Sequence, residues 1–202
     1  MKIYNSPTAP NPRRVRVFLA EKGIQVPYED VDIVTSVNRG PEFRAKNPRG
    51  LLPVLELDDG SYIAESVAIC RYFEEIQPDP PLFGVGAKDR ALVEMWNRRM
   101  EFDLFLPIAD SFRQRHDFFK GRIRQAPEYA EVQRLNATDN LAWLDRELAD
   151  RRYIAGDRFT IADITAMIAI DFARVSKITI TPEQPNLARW HAEVAARPSA
   201  KA

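Results

Sequence analysis

The sequence predicts an α/β layer over residues 1–77 followed by an all-helical half over residues 88–202. Three observations lead there. Apolar residues alternate in short runs before residue 65, whereas beyond residue 88 they recur with helical spacing. The short runs are interleaved with helical patterns in the order strand, helix, strand, helix, strand, strand, helix, which suits a mixed sheet covered by helices. Between the halves, QPDPPLFG at 77–84 interrupts all periodicity, so residues 78–87 are expected to form a linker.

Residues 2–5, KIYN, have the pattern of a strand, and the proline-rich SPTAPNP after them that of a loop. From Pro12 onward Val15, Phe18 and Leu19 fall on one helical face, and Gly23 is the stop signal. Asn11 before Pro12 has the chemistry of an N-cap and first-turn pair, because Asn accepts from free amides and Pro brings no donor. PYEDVDI at 27–33 alternates as a half-buried strand, which completes a strand, helix, strand unit of about thirty residues, the size of a parallel crossover. GPEFRAKNP holds a short helical turn. In PVLELDDGSYIA, Asp59-Gly60 is a hairpin signal between two alternating runs. ESVAICRYFEEI then reads as a helix with Val67, Cys70 and Phe73 on its apolar stripe. This order is that of a thioredoxin-like topology.

In the second half, residues 88 to about 115 form one long helical pattern that Pro107 is expected to kink. A second helix spans roughly 127–150, with Val132, Leu135, Leu141, Leu144 and Leu148 as expected core positions. Within 153–175, Thr160 and Asp163 have capping-box spacing ahead of a nearly all-apolar helix, which must be buried on most sides. PNLARWHAEVAAR supplies the last helix.

Composition excludes several classes of partner. Twenty-nine basic residues balance twenty-nine acidic ones, so no overall field collects nucleic acid or an anionic membrane, and any bound anion needs a local site. The single cysteine, Cys70, rules out an intrachain disulfide or a multi-cysteine metal centre, and His116 and His191 are too far apart for a metal motif. A reducing cytoplasm is the expected setting. No apolar run approaches the ~20 residues that span a bilayer, and MKIYNSPTAP lacks the apolar run of a signal peptide.

Pro53 at the mouth of the apolar run Val54, Leu55, Leu57 is unusual, since proline cannot donate to a ladder. Glu65 and Ser66 stand together where a helix begins. From the residues alone, a trans proline opening an edge strand and a polar pair capping a helix remain open. Taken together, however, LLPVLELDDG, ESVAICRYF and YIAGDRFTIADI, in this order around a proline-rich linker, resemble a cytosolic glutathione transferase over the whole chain. The resemblance implies a cis Leu52-Pro53 bond, with Val54 lending its main-chain N–H and C=O to the cysteinyl unit of glutathione. It also implies that Glu65 and Ser66 receive the γ-glutamyl end and that Arg39 meets the glycyl carboxylate. Glutathione as co-substrate, a small hydrophobic electrophile, a homodimer and no metal belong to the same expectation.

Glutathione transferases work by ionising the bound thiol. Major subgroups place Tyr, Ser or Cys after the first strand, whereas the loop here, NSPTAPNPRRVR, is similar to that of nu-class and related bacterial or fungal members, in which Thr and Asn occupy the turn. That likeness makes Thr8 and Asn11 the candidate catalytic donors, with Ser6 in reserve. Tyr4 and Cys70 are expected in the core. Trp96, Arg99, Met100 and Phe102 are available to an electrophile pocket expected between the two halves. The competing function is a transferase-like binding module whose surface meets a protein partner.

Overall fold

The computed structural model describes all 202 residues. Its sheet has four strands, β1 (Lys2–Asn5), β2 (Tyr28–Asp30), β3 (Val54–Glu56) and β4 (Tyr62–Ala64), in the order β2-β1-β3-β4. β1 runs parallel to β2 and antiparallel to β3, and β3 is antiparallel to β4. Helix α1 (Pro10–Lys22) makes the parallel crossover. The period-two rule sorts the side chains. Tyr4 and Val54 pack on one face with Val31, Phe43 and Leu52, whereas Ile3 and Leu55 face α1 and α3 (Ser66–Ile76) on the other. Phe43 comes from the one-turn helix α2 (Pro41–Arg44), and α3 buries Cys70 and Phe73 of the expected stripe together with Ile69, while Val67 is only half-buried.

Two expected boundaries move. Helix α1 starts at Pro10 with Ala9 as its cap, not at Asn11-Pro12. Pro10 has the right φ for a first helical residue, and Pro12 falls where no intrahelical donor is needed. The expected strand 27–33 shrinks to three exposed edge residues, since a lone parallel neighbour pairs it only as far as Asp30. The stop at Gly23 holds, with φ of 65°.

The second half is helical: α4 (Gly86–Arg99), α5 (Leu106–Arg113), α6 (Pro127–Glu147), α7 (Ile161–Phe172) and α8 (Pro185–Ala195). The single long helix expected over 88–115 is divided by a π-helical stretch, Met100–Phe105. Pro107 removes one donor and its ring crowds the carbonyl four residues back, and a wider turn just upstream relieves both. Helix α6 buries Ala130, Ala137, Leu141 and Leu144, with Leu148 at its end, but leaves Val132 52% and Leu135 50% exposed, correcting their assignment to the core. Helix α7 is buried along Ile161–Ile170 and carries the capping box. Asp163 accepts from the Thr160 amide (2.9 Å) and hydroxyl (3.0 Å), the Ile154 amide (2.9 Å) and Trp190 Nε1 (2.9 Å). Burial nevertheless pushes its carboxyl above the ordinary aspartate range.

The chain divides into two compact units, Met1–Leu82 together with Pro198–Ala202, and Phe83–Arg197. The last five residues, expected with the helical half, return to the first unit. Arg13 Nη2 donates to the Ala200 carbonyl (2.9 Å) and the Ser199 hydroxyl donates to Glu21, which fastens this tail to α1. Lys22 anchors the proline-rich stretch from inside. Its buried ammonium meets Glu74 (2.5 Å) and donates to the carbonyls of Gln77 (2.8 Å) and Pro80 (2.5 Å). No helix is long and apolar enough to cross a membrane.

Candidate functional site

Pro53 explains how the sheet ends. The Leu52-Pro53 bond is cis, as is Asp79-Pro80, which the sequence did not flag. Val54, however, is not an open strand end. It lies opposite Tyr4 on one side and Ala64 on the other. A residue in a strand points its N–H and C=O to the same side, and either side of Val54 is already a strand. The free main-chain groups belong to Leu52, whose N–H and C=O make no hydrogen bond within the protein. Continuing both registers two residues past the ladder sets Leu52 between Ser6 and Ser66. The end of β1, the approach to β3 and the start of α3 therefore converge.

Each of these segments is held by its own contacts. The approach to Leu52 is fixed by Asn47, whose Nδ2 donates to the Leu51 carbonyl (2.8 Å) while its Oδ1 accepts from the Arg49 amide (3.2 Å). Asn38 Nδ2 donates to the Gly50 carbonyl (2.6 Å), which docks this approach onto the turn Val37–Arg39. Gly50 is required there. Its φ is 62°, and a Cβ would stand 2.6 Å from the Asn38 carbonyl oxygen. Arg39 ends that turn, half-buried, next to Asn38.

Glu65 caps α3 with φ of 70° and ψ of 117°, a region that non-glycine residues seldom occupy, and its exposed side chain makes no cap bond. Ser66 is buried, and its Oγ accepts from Arg14 Nη1 at 2.7 Å. With an acceptor lone pair so used, the hydroxyl proton is left to donate to an anion at the α3 N-terminus. Nothing in the amino-acid pattern singles out Arg14. It is only 1% exposed, and the same nitrogen also reaches Asn11 Oδ1 (3.3 Å). One guanidinium thus joins the first turn of α1 to the first residue of α3.

That contact orients Asn11. Its oxygen faces Arg14, so its Nδ2 donors face away, and the cap position expected for it is held by Ala9, which makes no side-chain cap bond. Because Pro10 and Pro12 have no N–H, the opening turn of α1 offers an amide only at Asn11. Thr8 is exposed in the loop between β1 and α1, and its hydroxyl makes no hydrogen bond within the protein. Ser6 is buried one peptide from the strand end, with its carbonyl accepting from the Ala9 amide (3.3 Å). Tyr4 is in the core with its hydroxyl on Glu56 (2.6 Å), and Cys70 is buried as a free thiol. In the helical unit, Trp96 is buried and stacks on Trp143 at 5.6 Å, with Arg99 over both rings. Met100 is core and Phe102 is exposed.

Comparison with known proteins gives this arrangement its family. Residues 8–76 match the glutathione S-transferase N-terminal domain, and residues 115–198 match the glutathione S-transferase C-terminal domain. The chain is 35% identical over 205 residues to glutathione S-transferase 2 of Saccharomyces cerevisiae, covering 100% of this chain and 88% of that protein. Among solved structures, a glutathione S-transferase domain-containing protein of Marinobacter aquaeolei is 40% identical with a TM-score of 0.94, covering 98% of this chain and 99% of that one. Gtt2 from Saccharomyces cerevisiae is 35% identical, also with a TM-score of 0.94, covering 100% and 99%. The thioredoxin-like sheet, the helical half and these full-length likenesses make the chain a member of the glutathione S-transferase family.

Proposed function

We propose that this protein is a glutathione transferase whose tripeptide site is the convergence of Thr8, Asn11, Leu52, Glu65 and Ser66. The main chain of Leu52, rather than that of Val54, pairs with the cysteinyl unit of glutathione as a short added strand. The γ-glutamyl carboxylate lies at the α3 N-terminus against the Ser66 hydroxyl, and the Glu65 carboxylate takes the ammonium. Arg39 meets the glycyl carboxylate. The single observation that carries this reading is Arg14 behind Ser66, a buried cation that turns the serine into a donor where a helix already favours an anion.

The chemistry then depends on a proton. A free thiol with a pKa of ~8.5 is mostly protonated at neutral pH, and each unit of depression requires about 1.4 kcal/mol of preferential thiolate stabilisation. The Thr8 hydroxyl and the Asn11 amide supply donors at the sulfur. The thiol proton leaves to solvent, the sulfur lone pair attacks an electrophilic carbon, and the leaving group departs with the bonding pair. A disulfide sulfur or a peroxide oxygen is an alternative electrophile for the same thiolate. No metal enters the reaction as proposed.

Homodimerisation and a cytoplasmic location complete the proposal. Leu92, Met95 and Phe102 along α4 and the π-helical stretch, with Val132 and Leu135 on α6, are apolar and exposed, as a face covered by a second copy would be. The lone buried thiol fits a reducing compartment. Retention on immobilised glutathione and turnover of a chromogenic aryl halide or a mixed disulfide test the activity. Failure of both would leave a family member that serves as a binding module.

A further inference from the structure

Arg16 is half-buried on α1, and its guanidinium is committed to the loop between β1 and α1. Nη1 donates to Asn5 Oδ1 at 2.7 Å and to the Ser6 carbonyl at 3.3 Å, and Nη2 donates to the Pro7 carbonyl at 3.0 Å. These acceptors are three consecutive residues, and none of the three bonds goes to a carboxylate. Asn5 is itself fixed from the far side, with its Nδ2 donating to Asp30 Oδ1 (2.6 Å) and its carbonyl accepting from the Val31 amide (2.9 Å).

The Pro7 carbonyl and the Thr8 N–H belong to one trans peptide, so they point in opposite directions. Drawing the Pro7 oxygen toward Arg16 therefore turns the Thr8 N–H outward, where it meets no acceptor in the protein. A cation bonded to the carbonyl also polarises the peptide and strengthens the donor at its other end. Thr8 thus presents two free donors, an amide and a hydroxyl, from a plane whose orientation is set by Arg16.

We propose that Arg16 is a positioning residue for thiol activation, holding the Pro7-Thr8 peptide so that the Thr8 amide and hydroxyl both face the glutathione sulfur. It acts through the loop and touches no substrate. The inference rests on the assignment of Thr8 made above, and it adds a main-chain donor and the group that aims it. Arginine suits this work because its planar fork carries two nitrogens at a fixed separation and so fixes an orientation, whereas an ammonium on a flexible stem has freely rotating donors.

The test uses the full chain with Arg16→Ala and Arg16→Lys. Both variants are expected to lower kcat about tenfold to a hundredfold, within the range seen when a transition-state donor is lost or misplaced. The dissociation constant for glutathione should stay within about threefold, and the apparent pKa of the bound thiol, followed by thiolate absorbance, should rise by about one unit. Arg16 lines an open cleft with Leu19, Ile24, Val26 and Tyr28. Ethylguanidinium added to Arg16→Ala should therefore restore part of kcat. If Arg16→Ala does not fold, Arg16→Lys decides, because it keeps the charge and the stem. Unchanged kcat and thiol titration, or equal losses of affinity and turnover without a change in thiol pKa, would overturn the inference. A wild-type protein that fails to bind glutathione overturns the assignment beneath it instead, so the two failures are distinct.

Discussion

At the scale of single residues, the proposed site assigns binding and activation to different side chains. In the proposed site Ser66, aligned by Arg14, would offer its hydroxyl to a carboxylate that is present in the free tripeptide and unchanged during reaction. Ser66→Ala should therefore raise the dissociation constant for glutathione about tenfold to a hundredfold, the worth of a hydrogen bond to a charged group, with kcat at saturation little changed. Thr8→Ala should mainly lower kcat while affinity stays near wild type, and steady-state kinetics beside calorimetry separate the two. Equal effects of both substitutions on both constants would contradict the division. Glu65-Ser66 and Pro53 entered the proposed site from the sequence because they stand in recognisable local patterns. Arg14 did not, since nothing in PNPRRVRVF says which of three arginines turns inward, and its partner lies 52 residues away. The free main chain of Leu52 was not legible, because the pairing of Val54 on both edges depends on β1 and β4, not on the local run.

At the scale of elements, prolines account for two of the differences between pattern and structure. Pro10 begins α1 two residues earlier than the apolar spacing suggested, which moves Asn11 from the cap into the helix. Pro107 is where the kink was expected, yet the helix responds upstream, over Met100–Phe105. Apolar spacing could not separate a covered residue from an exposed one on α6, because Leu135 and Leu141 look alike until α5, α7 and α8 are in place. The anchoring of the proline-rich stretch by Lys22 is also tertiary. Removing that ammonium would strip the buried Glu74 carboxylate of a close cationic partner and leave the Gln77 and Pro80 carbonyls short of a donor. Lys22→Ala is expected to cost about 3–5 kcal/mol in urea unfolding, and Lys22→Met combined with Glu74→Leu should recover most of it. A cost below about 1 kcal/mol for the single change would show that the stretch is held by other contacts.

At the scale of the whole molecule, the order of elements was legible in periodicity, because the first half interleaves strand-period runs with helical patterns whereas the second repeats only at helical spacing. The return of Pro198–Ala202 to the first unit was not, since it rests on Arg13 and Glu21 meeting a tail nearly the full chain away. The apolar residues left exposed on α4 and α6 predict a dimer in sedimentation at roughly ten micromolar protein. Leu135→Glu should shift the distribution toward monomer, and a wild-type protein that sediments only as monomer would refute the interface. The central claim is that Leu52, Glu65 and Ser66 form a receptor for one tripeptide, and titration calorimetry tests it most directly. Reduced glutathione added to the wild-type protein should give a saturable, one-site heat that weakens about tenfold or more in Ser66→Ala, whereas no saturable heat with the wild type would contradict the account.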